Sequence, residues 1–492
     1  MRKIYIISIA FFLLISCADY DVVIRNGMIY DGTGEKPYSG DVAINNDKII
    51  KVSKSINGKG KKEINASGLA VSPGFINMLS WATTSLIKDG RSLSDIKQGV
   101  TLEVFGEGWS MGPLNEKMKE QQQTDAEGFE IDWNSLGQYL ESLERRGVST
   151  NVASFLGATT LRIHEIGFAD RKPTDQEMNN MRELVRVAME EGAMGIGSSL
   201  IYAPAFYSST EELIEICKVA SEYGGMYISH MRSESNQFLE ALDELIQISE
   251  EANIPAEVYH LKAGGIPNHY KMDLAIEKIN NARDRGLNIT TDMYNYVAGA
   301  TGLDAHMPPW VQEGGYDKWV ERLKDPSIRV RVKEEMIKDT DDWENLGFLA
   351  GHDGVLFSDF KNPELRKYVG MTLKEVSEKL NKHYADVAID FVIEDGSRVG
   401  VVYFLMSEDN VKKQIQLPYM SFGSDAGSIA PEGDFLNSNP HPRAYGNFAR
   451  LLGKYVREEK VISLENAIYK LSGLSASKLK LKERGFLKEN YF

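Results

Sequence analysis

From about Gly68 onward the chain repeats one pattern: a short apolar run, a turn, then a long amphipathic stretch such as 175–191 or 209–223. Strand and helix alternating in this way build βα units around a parallel sheet. Eight runs qualify as parallel strands: 70–79, 100–106, 150–156, 193–199, 226–231, 257–262, 288–294 and 419–425. Eight strands close a (β/α)8 barrel, whose catalytic side chains sit at the C-terminal strand ends. The pattern predicts an α/β fold of the TIM-barrel type and says where to look for chemistry.

Other segments flank this repeat. Residues 18–70 hold short alternating runs split by Gly, Asn and Asp, which predicts the N-terminal part of a small β-domain. The barrel is expected over 71–450, broken between its seventh and eighth strands by a long insertion at about 295–417 that carries Trp310, Trp319 and Trp343. A segment of that length at the catalytic rim serves either as a substrate lid or as structural padding. Residues 451–492 read as a helical segment leading back to the small β-domain.

Residues 1–17 are a charged start, an apolar run and Ser16-Cys17, the plan of a cleaved secretory signal too short to span a bilayer. Leu14-Ile15-Ser16-Cys17 is similar to a bacterial lipobox, which predicts lipidation of Cys17 and a lipid-anchored place in the cell envelope; an ordinary secretory signal is the alternative. The second cysteine, Cys217, falls in a helical stretch and is expected in the core, so no disulfide framework is available. A net charge of −15 and a pI near 5.2 argue against nucleic acid and anionic lipid as partners.

Of eight histidines, His230 and His260 stand at the ends of predicted neighbouring strands, in Ser229-His230-Met231 and Tyr259-His260-Leu261. Imidazoles converging there suit zinc or a similar metal. Asp425, in Gly423-Ser424-Asp425-Ala426-Gly427, closes the last strand and could take a proton from a metal-activated water, although a helix cap or Asx-turn also explains an Asp there.

Taken in order, Val71-Ser72-Pro73-Gly74-Phe75-Ile76, Gln98-Gly99-Val100-Thr101, Ser229-His230-Met231-Arg232-Ser233-Glu234, His260-Leu261-Lys262, Gly423-Ser424-Asp425 and His441-Pro442-Arg443 resemble the successive motifs of the D-aminoacylase (N-acyl-D-amino-acid deacylase) family of the amidohydrolase superfamily. The resemblance runs from about residue 21 to the end. It implies a barrel beside a small β-sandwich domain, one tightly bound zinc on His230 and His260, and Asp425 as general base. It also implies that Lys262, Tyr294 and Arg443 seat the carboxylate of an N-acyl-D-amino acid. Arg443 suits that task because a guanidinium grips a carboxylate with two hydrogen bonds; ordinary ion pairing is the alternative for Arg443 and Lys262.

Three features depart from the family. Its relatives in the superfamily carry His-x-His after the Pro-Gly-Phe-Ile run, where this chain has Leu79 and Trp81, so a second, weaker metal position is expected to be empty. The family's cysteine ligand after the second strand is absent, and Gly106-Glu107-Gly108-Trp109 offers only Glu107, which is therefore expected to join His230 and His260 as a ligand or else to cap the following loop. The chain also stops at Phe492 where family members add further strands, so the small β-domain is expected to be incomplete.

Two functions remain open at this point. One is an envelope hydrolase that releases a carboxylate and a D-amino acid; the other is a catalytically inactive binding protein on the same scaffold. Retention of His230, His260 and Asp425 together favours the enzyme. Hydantoinase-type chemistry is disfavoured, because the fourth strand offers Gly195-Ile196-Gly197-Ser198-Ser199 and no lysine.

Overall fold

The computed structural model describes residues 18–126 and 128–492, and Cys17 lies outside them. Each of the eight anticipated runs overlaps a barrel strand: Phe75–Asn77, Val100–Phe105, Asn151–Ser154 continued by Leu156–Gly157, Gly195–Ser199, Met226–His230, Ala256–Val258, Ile289–Met293 and Met420–Phe422. All neighbouring pairs are parallel. The third strand links the two halves, since Ser154 pairs with Phe105 below and Leu156 with Ile196 above. Closure comes from the Met78 amide donating to Phe422 O at 3.1 Å and the Asp425 amide donating to Leu79 O at 2.8 Å.

Side-chain alternation along the strands sorts the core into two layers. Met226 and Ile228 join Ile76, Val104, Phe155 and Tyr259 in one buried cluster, while Tyr227, Val258 and Ile289 belong to the larger cluster shared with the surrounding helices. Free Cys217 is buried in that outer layer. The helix Gly473–Lys478 contributes Ala476 to the inner cluster, and its Lys478 Nζ reaches Glu257 at 3.1 Å.

The N-terminal sheet runs Lys48–Ser53, Tyr38–Asn45, Tyr20–Ile29, Gly60–Asn65, with Ala70–Val71 beside Tyr20–Ile29. The chain end returns to its edge: Asn490 N–H donates to Ile49 O, and Ile49 N–H to Tyr491 O, both at 2.8 Å. Those bonds satisfy edge groups of a strand that would otherwise template aggregation.

The insertion has its own antiparallel sheet, in the order Ala298–Gly302, Gly400–Phe404, Val355–Asp359, and its own core around Trp319, Phe357, Phe360 and Phe391. Trp319 is a core residue there, and Trp310 packs under the Arg331 guanidinium while its indole donates to Glu335. No helix among the described residues is long and apolar enough to cross a membrane.

Candidate active site

Glu107 reaches the barrel mouth because glycines bracket it. Gly106 (φ +109°) and Gly108 (φ +71°) occupy backbone conformations that side chains disfavour, and both sites are crowded. A Cβ on Gly106 would stand 2.4 Å from Phe155 O, and one on Gly108 2.6 Å from Ser199 Cβ. The tight turn carries Glu107 inward, where it is buried.

There it meets the two histidines. His230 ends the fifth strand with Nδ1 3.0 Å from Glu107 Oε1, and His260 follows the sixth with Nε2 2.8 Å from the same oxygen. The imidazole rings stand edge to face, 4.6 Å apart. One donor atom from each of Glu107, His230 and His260 lies within 4.8 Å of the others, a set that fits a metal ion of zinc's preferences. His260 has φ of +33° and Asp425 +50°, so two site side chains leave their strands from left-handed backbone, the kind of local strain that surrounding structure must hold in place. At His260 that hold includes its amide donating to Asp292 Oδ1 at 2.6 Å.

The supporting shell centres on Glu234, four residues after His230 and missed by the sequence reading. Its carboxylate takes Lys262 Nζ on both oxygens, at 2.8 and 2.7 Å, and lies 2.9 Å from His260 Nδ1. A carboxylate behind an imidazole fixes the ring and raises its strength as a donor. Burial pushes the Glu234 carboxyl up, but His230, Lys262 and His260 outweigh it and bring it down to about 2. Burial likewise opposes Glu107, and the two histidines hold it well below the usual carboxylate range. Both acids are thus held as anions.

The remaining predicted residues line the same cavity of about 280 Å³. Asp425 Oδ2 is 2.7 Å from Arg443 Nη1, and the Arg443 guanidinium lies 4.4 Å from the Tyr294 ring centroid. Buried Arg443 Nε has no partner among the described residues, a donor left available to a ligand. Lys262 is fully engaged by Glu234 and His260, so in this structure it braces the site rather than standing free for substrate. Ser199 is the cavity-facing residue at the end of the fourth strand, so no lysine enters from there.

The insertion supplies the far wall through Thr301, Glu344, Leu346, Arg398, Tyr403 and Leu405. Its strands carry no local signal for this, since the contacts arise only when it folds over the rim. It is therefore part of the pocket rather than padding. Tyr202 stands edge-on to His230 at 5.4 Å and Trp81 donates to Glu107; neither was anticipated as a site residue.

No family model matches the chain. The D-aminoacylase of Alcaligenes xylosoxydans xylosoxydans is 29% identical to it over 475 residues, 96% of this chain and 87% of that protein. The N-acyl-D-aspartate deacylase of the same organism is 26% identical, over 96% of this chain and 84% of its own length. A solved D-aminoacylase, described as having a binuclear metal centre with one-metal activation and second-metal attenuation, superposes with a TM-score of 0.77 at 28% identity, covering 96% of this chain and 88% of that one. Over nearly its whole length this chain is similar to the D-aminoacylases and N-acyl-D-amino-acid deacylases of the amidohydrolases. In this structure His230 and His260 are joined by Glu107, which the sequence put forward as a ligand, and Glu107 is in turn held by Trp81, which the sequence did not.

Proposed function

We propose that the protein is a metal-dependent deacylase of N-acyl-D-amino acids, with one zinc held by Glu107, His230 and His260. The observation that carries this is the convergence of those three donors with Asp425, Arg443 and Tyr294 on one cavity. When bound, zinc polarises the amide carbonyl and activates water for attack. Arg443 holds Asp425 Oδ2, which leaves the other oxygen to accept a proton from the attacking water and return it to the leaving nitrogen. The free Nε of Arg443, stacked on Tyr294, is suited to the substrate carboxylate. The insertion wall excludes solvent and contacts the acyl group or side chain.

The lipobox-like Leu14-Ile15-Ser16-Cys17 supports an envelope location with the lipid on Cys17 as its anchor. Metabolic labelling with a radioactive fatty acid, lost on Cys17→Ala, tests that placement.

Hydrolysis is tested on a panel of N-acetyl-D- and N-acetyl-L-amino acids beside zinc analysis by mass spectrometry. The expected result is D-selective deacylation with one zinc per chain, both lost in His230→Ala/His260→Ala. A folded protein that binds zinc yet cleaves no N-acyl-D-amino acid rejects the substrate class; one that binds none rejects the mechanism.

A further inference from the structure

The carboxylate of Glu107 is shared between two kinds of partner. Oε1 faces His230 Nδ1 at 3.0 Å and His260 Nε2 at 2.8 Å. Oε2 accepts the indole N–H of Trp81 at 2.8 Å. Trp81 lies just beyond the first barrel strand, after Met78-Leu79-Ser80, and its amide is tied to Ala426 O at 3.0 Å, so its backbone is fixed by the barrel closure beside Asp425. The indole thus approaches Glu107 from a rigid element.

We propose that Trp81 is a positioning residue that commits Glu107 to a single metal ion, offering one oxygen to the histidine pair and withholding the other. An N–H on Oε2 occupies the acceptor that a second cation would need for a two-oxygen carboxylate bridge. The same logic operates across the cavity, where Arg443 Nη1 occupies Asp425 Oδ2 at 2.7 Å. One oxygen of each carboxylate is thus engaged by a nitrogen, by a hydrogen bond at Glu107 and by an ion pair at Asp425. The pocket therefore carries its own substitute for a second cation, which sets it apart from the relative described as binuclear. Trp81 also fixes the ligand's orientation: hydrogen-bonded partners behind a metal ligand contribute about 10–100-fold in affinity.

This inference rests on the reading of Glu107, His230 and His260 as the metal donors, and the test separates the two. Full-length protein stripped of metal by chelator is titrated with zinc, against a competing chromogenic chelator, in wild type, Trp81→Phe and Trp81→Gln. Wild type is expected to bind one equivalent and to take up no second in large molar excess of zinc. Trp81→Phe, which keeps an aromatic ring and loses the N–H, is expected to bind zinc about 10–100-fold more weakly. Trp81→Gln, which restores an amide N–H, is expected to recover part of that loss. Cobalt loaded in place of zinc reports the geometry directly: its visible spectrum changes in Trp81→Phe, where Oε2 is released, a signature that loss of packing alone does not produce.

One zinc in wild type, with unchanged affinity and cobalt spectrum in Trp81→Phe, overturns the role of Trp81 and leaves the metal reading standing. Two zinc ions in wild type overturn it without recourse to any variant. No zinc in folded wild type overturns both.

Discussion

The Arg443 guanidinium lies 2.7 Å from Asp425 Oδ2, in a pair whose side chains are 4% and 12% exposed. Burial raises the Asp425 carboxyl, and Arg443 pulls it back toward the ionised form that a base requires. Removing the guanidinium therefore raises the Asp425 pKa further. In Arg443→Met the acidic limb of the kcat/KM profile should move to higher pH. At neutral pH, kcat/KM should fall about 10- to 100-fold through the lost charged hydrogen bonds to substrate. A lower rate with an unmoved limb would restrict Arg443 to binding.

Asp425→Asn keeps the shape and removes the base. Hydrolysis should fall by about 10²–10⁴, the usual contribution of general acid–base catalysis. Zinc content should remain at the wild-type level, because Asp425 is not among the three clustered donors. Loss of the metal with the activity would show that Asp425 acts as a ligand.

The barrel was legible in the sequence because a parallel strand buried on both faces leaves a dense apolar run, and eight such runs are hard to mistake. His230, His260 and Asp425 were legible because each ends one of those runs. Trp81 was not: at its position the sequence showed only a missing ligand, and the indole hydrogen bond that replaces it needs coordinates to be seen. Arg398 and Glu344 were hidden for another reason. They sit in an insertion whose local pattern records its own core, around Phe357 and Phe391, and says nothing of the rim it folds over. Glu107 fell between these cases, since the flanking glycines were visible but their purpose was not.

That purpose can be tested at Gly106. Its φ of +109° and the 2.4 Å approach to Phe155 O leave no room for a methyl group, so Gly106→Ala must shift the turn that delivers Glu107. The expected cost is about 1–3 kcal/mol of stability, with weaker zinc binding beyond that. Chemical denaturation and zinc competition measure the two effects. Wild-type values for both would mean that the turn relaxes without moving the carboxylate.

His306 supplies a pH dependence remote from the metal donors. It is fully buried in the insertion beside Gly347, and burial pushes its imidazole down to about 4. The unfolded chain binds that proton near pH ~6.5. Between those values the unfolded state holds a proton that the folded state refuses. The stabilising contribution is therefore complete above about pH 6.5 and declines as pH falls toward 4, by roughly 3 kcal/mol in all. Urea titrations at several pH values in this window should show the decline, with a shallower slope in His306→Phe. An equally steep slope in the variant would assign the acid sensitivity to other groups.

Arg398 bears on which side chain the cavity accepts. It lines the cavity from the insertion, with its side chain 51% exposed. Asp304 at 2.8 Å and Thr301 Oγ1 at 3.2 Å both engage its Nη2, and the guanidinium lies 4.9 Å from the Tyr202 ring centroid. A fork anchored at one corner and braced on a ring is pre-organised to take a carboxylate with its remaining N–H groups. Substrates with acidic side chains therefore test it directly. Arg398→Gln should lower kcat/KM for N-acetyl-D-aspartate and N-acetyl-D-glutamate about 10- to 100-fold, the worth of a charged hydrogen bond. N-acetyl-D-leucine, which presents no second carboxylate, should be cleaved at close to the wild-type rate. An equal loss on all three substrates would make Arg398 a support for the insertion wall, acting through Asp304, rather than a reader of the side chain.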